Sequence, residues 1–198
     1  MSGNSEQIAL FGGSFDPPHL GHTGIAAAAV EQCGLDRVIF IPCRQSPLKG
    51  RLPEAPAEHR VAMLRLALER LPWAGLDEWE LPRPSPSYSW QTVGFFREKF
   101  PRATLHWLMG QDQWRSLDQW ARADFLREHL TFIVFARDGV RPEPRLGWRT
   151  HFLEGEFPGS STAARALLAT GKSSSALLVQ SVEDYALKQG LYAPVESF

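Results

Sequence analysis

Cysteine is scarce. Only Cys33 and Cys43 occur among 198 residues, at a spacing that matches no metal-binding pattern, which excludes a disulfide scaffold and a thiolate metal centre. No apolar run reaches the roughly 20 residues that a membrane-crossing helix needs, and no secretory leader precedes the first apolar segment. These absences lead to the expectation of a reduced, cytoplasmic setting with no membrane partner. An excess of one charge sign is missing too. Lys and Arg number 21 against 22 Asp and Glu, for a net charge of −1, so nothing draws the chain to nucleic acid and any anionic ligand must be held by local groups. Neither the full Walker pattern Gly-x-x-x-x-Gly-Lys-Ser/Thr nor Gly-x-Gly-x-x-Gly occurs. No internal repeat or low-complexity tail interrupts the chain.

What is present suits one ordinary domain, residues 1–198, with 43% hydrophobic residues and enough length to bury a core. Apolar, β-rich runs at Ile8–Phe11, Arg37–Pro42, Leu105–Met109 and Thr131–Ala136, with a shorter one at His151–Leu153, read as strands. Helical patterns fall between them at Thr23–Cys33, Pro56–Arg70 and Tyr88–Phe100, and a further one covers Ala163–Ala169. The stretch Arg141–Arg149, with its two prolines, reads as a surface connection. Strands alternating with helices imply an α/β fold: a Rossmann-like, doubly wound, mostly parallel sheet with helices on both faces.

The densest signal is Leu10-Phe11-Gly12-Gly13-Ser14-Phe15-Asp16-Pro17-Pro18-His19-Leu20-Gly21-His22, at the first strand-to-helix junction. Gly12 and Gly13 allow close backbone approach to a ligand, and Gly21 keeps the helix entrance uncluttered. A helix start leaves N–H groups and partial positive charge for an anion. His19 and His22, three residues apart, can both face it. Asp16, ahead of two prolines, is expected to order the loop rather than to meet phosphate. A second such start lies at Pro158-Gly159-Ser160-Ser161-Thr162-Ala163-Ala164-Arg165. There Ser160 and Ser161 are candidate caps or phosphate ligands, and Arg165 can fold back to the same anion.

The first motif resembles the (H/T)xGH signature of the nucleotidyltransferase superfamily. Over nearly its whole length the chain resembles bacterial nicotinate-mononucleotide adenylyltransferases. The likeness runs through Ile41-Pro42, Ser46-Pro47-Leu48-Lys49, Pro86-Ser87-Tyr88-Ser89-Trp90-Gln91-Thr92, Gly110-Gln111-Asp112, Trp120, the Ser160–Arg165 segment and Val182, Tyr185 and Gly190-Leu191-Tyr192. Two departures stand out. Leu48 replaces a histidine of the family's Pro-Pro-His-Lys/Arg, and Ala164 takes an aliphatic position, where a packing change is expected.

The resemblance implies transfer of adenylate from ATP to nicotinate mononucleotide, giving deamido-NAD and pyrophosphate, with Mg²⁺ accompanying ATP and no metal held by protein side chains. His19, His22 and Arg165 are the expected catalytic residues. ATP is expected at Gly12, Gly13, Ser14, Phe15, His22, Gly110, Asp112, Arg137, Ser160, Ser161, Thr162 and Arg165, with the helical part from about 158 to 198 completing its phosphate site. Nicotinate mononucleotide is expected at Ser14, Lys49, Tyr88, Ser89 and Trp120, the last stacking on the pyridine ring. The alternating Pro82, Pro84 and Pro86 leave the N–H groups of Tyr88 and Ser89 for a carboxylate. Trp107, Trp148 and the other histidines, His59, His106, His129 and His151, read as packing or surface residues. Two alternatives stay open: a sister enzyme with another acceptor, such as nicotinamide mononucleotide or phosphopantetheine, and a nucleotide-binding protein without turnover. Assembly into an oligomer is left open.

Overall fold

The strand β1 (Gln7–Gly13) sends alternate side chains to opposite faces, and its neighbours β2 (Arg37–Pro42), β4 (Thr104–Gly110) and β5 (Thr131–Phe135) do the same. Ile8, Leu10, Ile39, Ile41, Leu105, Trp107, Met109, Phe132 and Val134 build one buried cluster. Ala9, Phe11, Val38, Phe40, Leu108, Ile133 and Phe135 build another. Near-continuous apolar runs are what a parallel sheet covered on both faces demands. The computed structural model describes residues 5–47, 50–136 and 142–194.

The remaining elements are α1 (Leu20–Cys33), α2 (Ala57–Leu68), β3 (Ala74–Leu76), α3 (Ser89–Lys99), α4 (Gln111–Arg115), α5 (Ala123–His129), β6 (Thr150–Leu153), α6 (Ser161–Ala169) and α7 (Gln180–Lys188). The sheet is parallel throughout, in the order β3-β2-β1-β4-β5-β6. Ile25, Ala26 and Ala29 of α1 and Leu64 and Leu68 of α2 cover one face. Val93 and Phe96 of α3 and Leu126 of α5 cover the other. The expected doubly wound α/β fold is therefore present. The strand order reverses between β1 and β4, and a crevice for ligands opens there at the carboxyl ends of strands.

Several boundaries differ from the sequence reading. Helix α1 begins at Leu20 and α6 at Ser161, because His19 and Ser160 supply caps that apolar periodicity does not register. Gly34 ends α1 in the left-handed region (φ 62°), its N–H returning to the Val30 carbonyl. Strand β3 has only three residues, each half-buried, too few to show a period. Helix α7 falls within the expected helical part from about 158 to 198, although no apolar pattern gave its bounds. It buries Val182 and Ala186 against Met63 and Ala67 of α2 and against Ala164 and Leu168 of α6, in a satellite core. Ala164 is fully buried there, so its departure from the family pattern is a packing change. In the expected surface connection, Leu146 is fully exposed, yet the Glu143 carbonyl accepts from the buried Trp114 Nε1 at 2.9 Å.

His106 of β4 is buried, with Nε2 3.0 Å from Gln7 Oε1. Burial first, and the neighbouring His151 second, lower its pKa from 6.5 to about 4. Between those values the unfolded chain holds the extra proton, so stability falls as pH drops through this window. Urea unfolding between pH 7 and pH 4 should show wild type losing on the order of 2–3 kcal/mol more than His106→Asn.

Candidate active site

At the carboxyl end of β1 the chain turns through Ser14 and Phe15, whose φ of 48° is left-handed. Such a conformation in a large residue needs support from its surroundings. Phe15 is 2% exposed and packs edge-on against Phe11 and His22, with ring centroids 5.6 and 5.0 Å away. His19 then caps α1 reciprocally with His22. The His22 N–H donates to His19 Nδ1 at 3.3 Å, and the His19 N–H donates to His22 Nδ1 at 3.1 Å. The two rings stack with centroids 3.6 Å apart. Because each Nδ1 accepts, each neutral ring carries its proton on Nε2, the donor form that an anionic oxygen requires.

The helix start is less open than the sequence reading supposed. The Leu20 N–H donates to the Leu177 carbonyl at 2.7 Å and the His22 N–H is used by the cap. The imidazoles, rather than a row of bare N–H groups, are the main donors at this end.

Asp16 sits beneath the histidines, 5% exposed. Its carboxylate accepts from the Glu54 N–H at 2.7 Å, the Ala55 N–H at 3.1 Å and the Tyr192 hydroxyl at 2.7 Å. Asp16 therefore orders the loop, as its position before two prolines suggested. Burial and the adjacent carboxylate push the Tyr192 phenol well above its ordinary pKa. Arg60, 2% exposed, braces the same loop through Ser14 O at 2.7 Å and Ala55 O at 3.2 Å. Its burial lowers its pKa.

The segment before α6 docks directly on this loop. Ser160 is the cap, accepting from the Ala163 N–H at 3.2 Å. Ser161 is not a cap: its hydroxyl donates to Pro17 O at 3.0 Å. Arg165 donates from Nη1 to Asp16 O at 2.7 Å and pairs through Nε with Glu54 at 2.9 Å. Its Nη2 lies 3.5 Å from Thr162 Oγ1. A Cβ on Gly159 would stand 2.5 Å from His19 Nδ1, and one on Gly21 would stand 2.9 Å from Pro158 O. Only glycines let these two segments touch.

Two cavities adjoin at this point. One, about 850 Å³, brings together Phe15, His19, His22, Gly110, Asp112, Ser160, Ser161, Thr162 and Arg165. The other, about 350 Å³, is walled by Trp107, Trp120, Tyr88 and Ser89. Gly12, Gly13 and Ser14 border both. Helix α3 starts at Ser89 without a side-chain cap; the Gln91 and Thr92 N–H groups return to the Tyr88 carbonyl, and those of Tyr88 and Ser89 are the ones left for a ligand. The indole Nε1 of Trp120 is buried and lacks a hydrogen-bond partner among the described residues.

Lys49, Leu48 and Arg137 lie outside the described residues, and all the other expected site residues border one or both cavities. Trp107 packs in the core as expected, 4% exposed, yet also walls the smaller cavity. Cys43, Glu80, Gln113 and Gln119 line that cavity as well and were not anticipated. Gln113 carried one usable signal, its place just after the β4 end; Glu80, in an irregular turn, carried none.

The family model described as cytidylyltransferase-like matches residues 10–167, from the β1 glycines through Arg165. The chain belongs to the cytidylyltransferase-like family. Within this family, it is 38% identical over 213 aligned positions to the protein named probable nicotinate-nucleotide adenylyltransferase in Pelobacter propionicus, covering 94% of this chain and 98% of that one. It is 35% identical to the Gloeobacter violaceus protein of the same name, covering 94% and 96%. These relatives show that this cytidylyltransferase-like chain is a member of the nicotinate-nucleotide adenylyltransferases. The Plasmodium falciparum nicotinic acid mononucleotide adenylyltransferase complexed with NaAD shares the fold, with a TM-score of 0.77 at 19% identity over 94% of this chain and 97% of that one.

Tyr192→Phe removes one of the bonds to Asp16 and should cost about 1.5–3 kcal/mol of stability, as expected for a hydrogen bond to a charged group. The shift of the urea midpoint at unchanged slope measures it.

Proposed function

We infer that the chain joins ATP and nicotinate mononucleotide to form deamido-NAD and pyrophosphate. The observation that carries this reading is the meeting of the two cavities along Gly12, Gly13 and Ser14. A triphosphate held by the larger one would present its α-phosphorus to a phosphate reaching out of the smaller one.

A phosphate monoester has a second pKa near ~6, so the acceptor is already a nucleophile at neutral pH and needs no general base. Its oxygen forms a bond to the α-phosphorus while the α–β phosphoanhydride bond breaks and pyrophosphate leaves with the electron pair. The protein's task is to bring two polyanions together and stabilise the charge that builds on the phosphoryl oxygens and leaving group. The stacked His19 and His22, with protons on Nε2, supply fixed donors for that charge. Ser160, Ser161, Thr162 and Arg165 hold the outer phosphates in this reading, so that the helical part from about residue 158 onward completes the ATP phosphate site of a single domain. Gly110 and Asp112, at the end of β4, border the nucleoside.

Mg²⁺ enters the proposal with ATP, where it neutralises phosphate charge. Asp16 is fully engaged by backbone and tyrosine, and Glu54 pairs with Arg165. Among the described residues no three His, Cys, Asp or Glu side chains converge on one point. This donor set suits a cation held by phosphate oxygens and water. In the smaller cavity the α3 start accepts the pyridine carboxylate, while Trp120 and Trp107 flank the ring. Lys49 and Arg137 lie outside the described residues, and the resemblance alone proposes the acceptor for the first and the adenine for the second.

Pyrophosphate release from Mg-ATP should be strong with nicotinate mononucleotide and weak with nicotinamide mononucleotide or phosphopantetheine. Turnover with phosphopantetheine alone would make it a sister enzyme, and none with any acceptor would make it a binding protein. His22→Ala should lower kcat by on the order of 10²–10³, read in the same assay; unchanged turnover would remove the histidine from its role.

A further inference from the structure

Glu80 lies in the turn after β3, outside every motif that the sequence offers, and is 5% exposed. It borders the smaller cavity. Its Oε1 accepts from Thr92 Oγ1 at 2.6 Å, and the Ser87 hydroxyl is near enough to favour the charged carboxylate. Thr92 is fully buried in the first turn of α3, and Ser87 precedes the helix by two positions. The two hydroxyls thus bracket Tyr88 and Ser89. Ser87 is fixed from its other side as well: its Oγ accepts from the Arg44 N–H at 3.2 Å, and its own N–H donates to Gln45 O at 3.0 Å. At the base of the same turn, Asp77 takes Lys99 Nζ from the far end of α3 at 2.7 Å. The turn therefore grips the helix at both ends.

An acidic side chain is an odd lining for a cavity that receives a carboxylate, since like charges repel. No Lys or Arg among the described residues is ion-paired with it. Burial raises its pKa, a rise that the two hydroxyl donors oppose. A charge-based role in holding substrate does not fit these facts. A mechanical one does: Glu80 ties Thr92, and with it the first turn of α3, to the turn after β3, while Ser87, a residue type that caps helices, is held by Arg44 and Gln45 and leaves the α3 start uncapped.

We propose that Glu80 is the positioning residue of the acceptor pocket, fixing Thr92 and the first turn of α3 so that the N–H groups of Tyr88 and Ser89 converge on the pyridine carboxylate. This rests on the acceptor assignment made above. Supporting groups of this kind hold a binding constellation within a fraction of an ångström, and losing them loosens the site without removing any ligand contact. Glutamine can accept the same Thr92 hydroxyl bond through its amide oxygen, and alanine cannot.

The test measures KM and kcat for both substrates in wild type, Glu80→Gln, Glu80→Ala and Thr92→Val, alongside backbone hydrogen exchange over residues 86–93 in the free protein. Glu80→Ala should raise KM for nicotinate mononucleotide about tenfold or more, with KM for ATP within about twofold, and should erode the preference over nicotinamide mononucleotide. Glu80→Gln should restore both parameters to within about threefold, and Thr92→Val, which keeps the shape and removes one hydroxyl, should fall between. Exchange at Ser87, Gln91 and Thr92, whose N–H groups are hydrogen-bonded in the free protein, should quicken in Glu80→Ala and not in Glu80→Gln. An unchanged KM in Glu80→Ala, equal losses for both substrates, or a glutamine variant as impaired as alanine would overturn the proposal. Should Glu80→Ala fail to fold, Thr92→Val and Glu80→Gln decide alone. If wild type does not use nicotinate mononucleotide, the acceptor assignment fails, and the exchange pattern still decides whether Glu80 positions α3.

Discussion

The site depends on one buried carboxylate. Asp16 draws the Glu54 and Ala55 amides and the Tyr192 hydroxyl to its oxygens, while its own carbonyl takes Arg165. Segments remote in sequence converge on a single residue at the edge of the larger cavity. A buried anion is tolerated only when its lone pairs are satisfied, so each of these bonds makes the others worth keeping. The strained Phe15 beside it, the histidine stack above it and the docking of α6 all lie within reach of this knot. Loss of the carboxylate would leave several buried donors unpaired at once, a larger penalty than any one contact suggests.

Division of labour across the crevice follows from the sheet. Because β1 and β4 lie on either side of the point where strand order reverses, their carboxyl ends open between two layers of helices. On one side α1 and α6 bring hydroxyl, imidazole and guanidinium donors, suited to polyphosphate. On the other, Trp107 and Trp120 face each other edge-on at 6.1 Å beside an uncapped helix, suited to a flat ring carrying one negative charge. The reciprocal histidine cap serves both structure and chemistry: the hydrogen bonds that start α1 also fix which ring nitrogen bears the proton.

Much of this was legible in the sequence, for local reasons. Apolar runs bounded by glycine and proline located five strands, and the Gly-Gly-Ser-Phe-Asp-Pro-Pro-His-Leu-Gly-His spacing located the phosphate end of the site. The resemblance supplied the acceptor end. Asp16 could be read as a loop organiser because Asp-Pro begins turns, yet its partners could not be read, since Glu54, Ala55 and Tyr192 reach it only through tertiary folding. Ser161 and Ser160 look interchangeable in sequence; docking against Pro17 decides which one caps. Glu80 and Cys43 sit in irregular turns where no periodicity marks a direction, so only the fold reveals that they line a cavity. Strand β3 escaped because it is too short to show a pattern, and the bounds of α7, inside the expected helical part, escaped because the satellite core it joins stabilises it.

The bond between Tyr192 and Asp16 has a consequence for the order in which the protein is made. Synthesis proceeds from the N-terminus, and early segments begin to fold while later ones are still absent. The phosphate loop is among the first pieces of chain to leave the ribosome, while the residues that close it, Ser161, Arg165 and Tyr192, are made well over a hundred residues later. Until then the nascent chain carries the histidines but not their far wall. The larger cavity is thus completed late in translation, after all six strands of the sheet have been made.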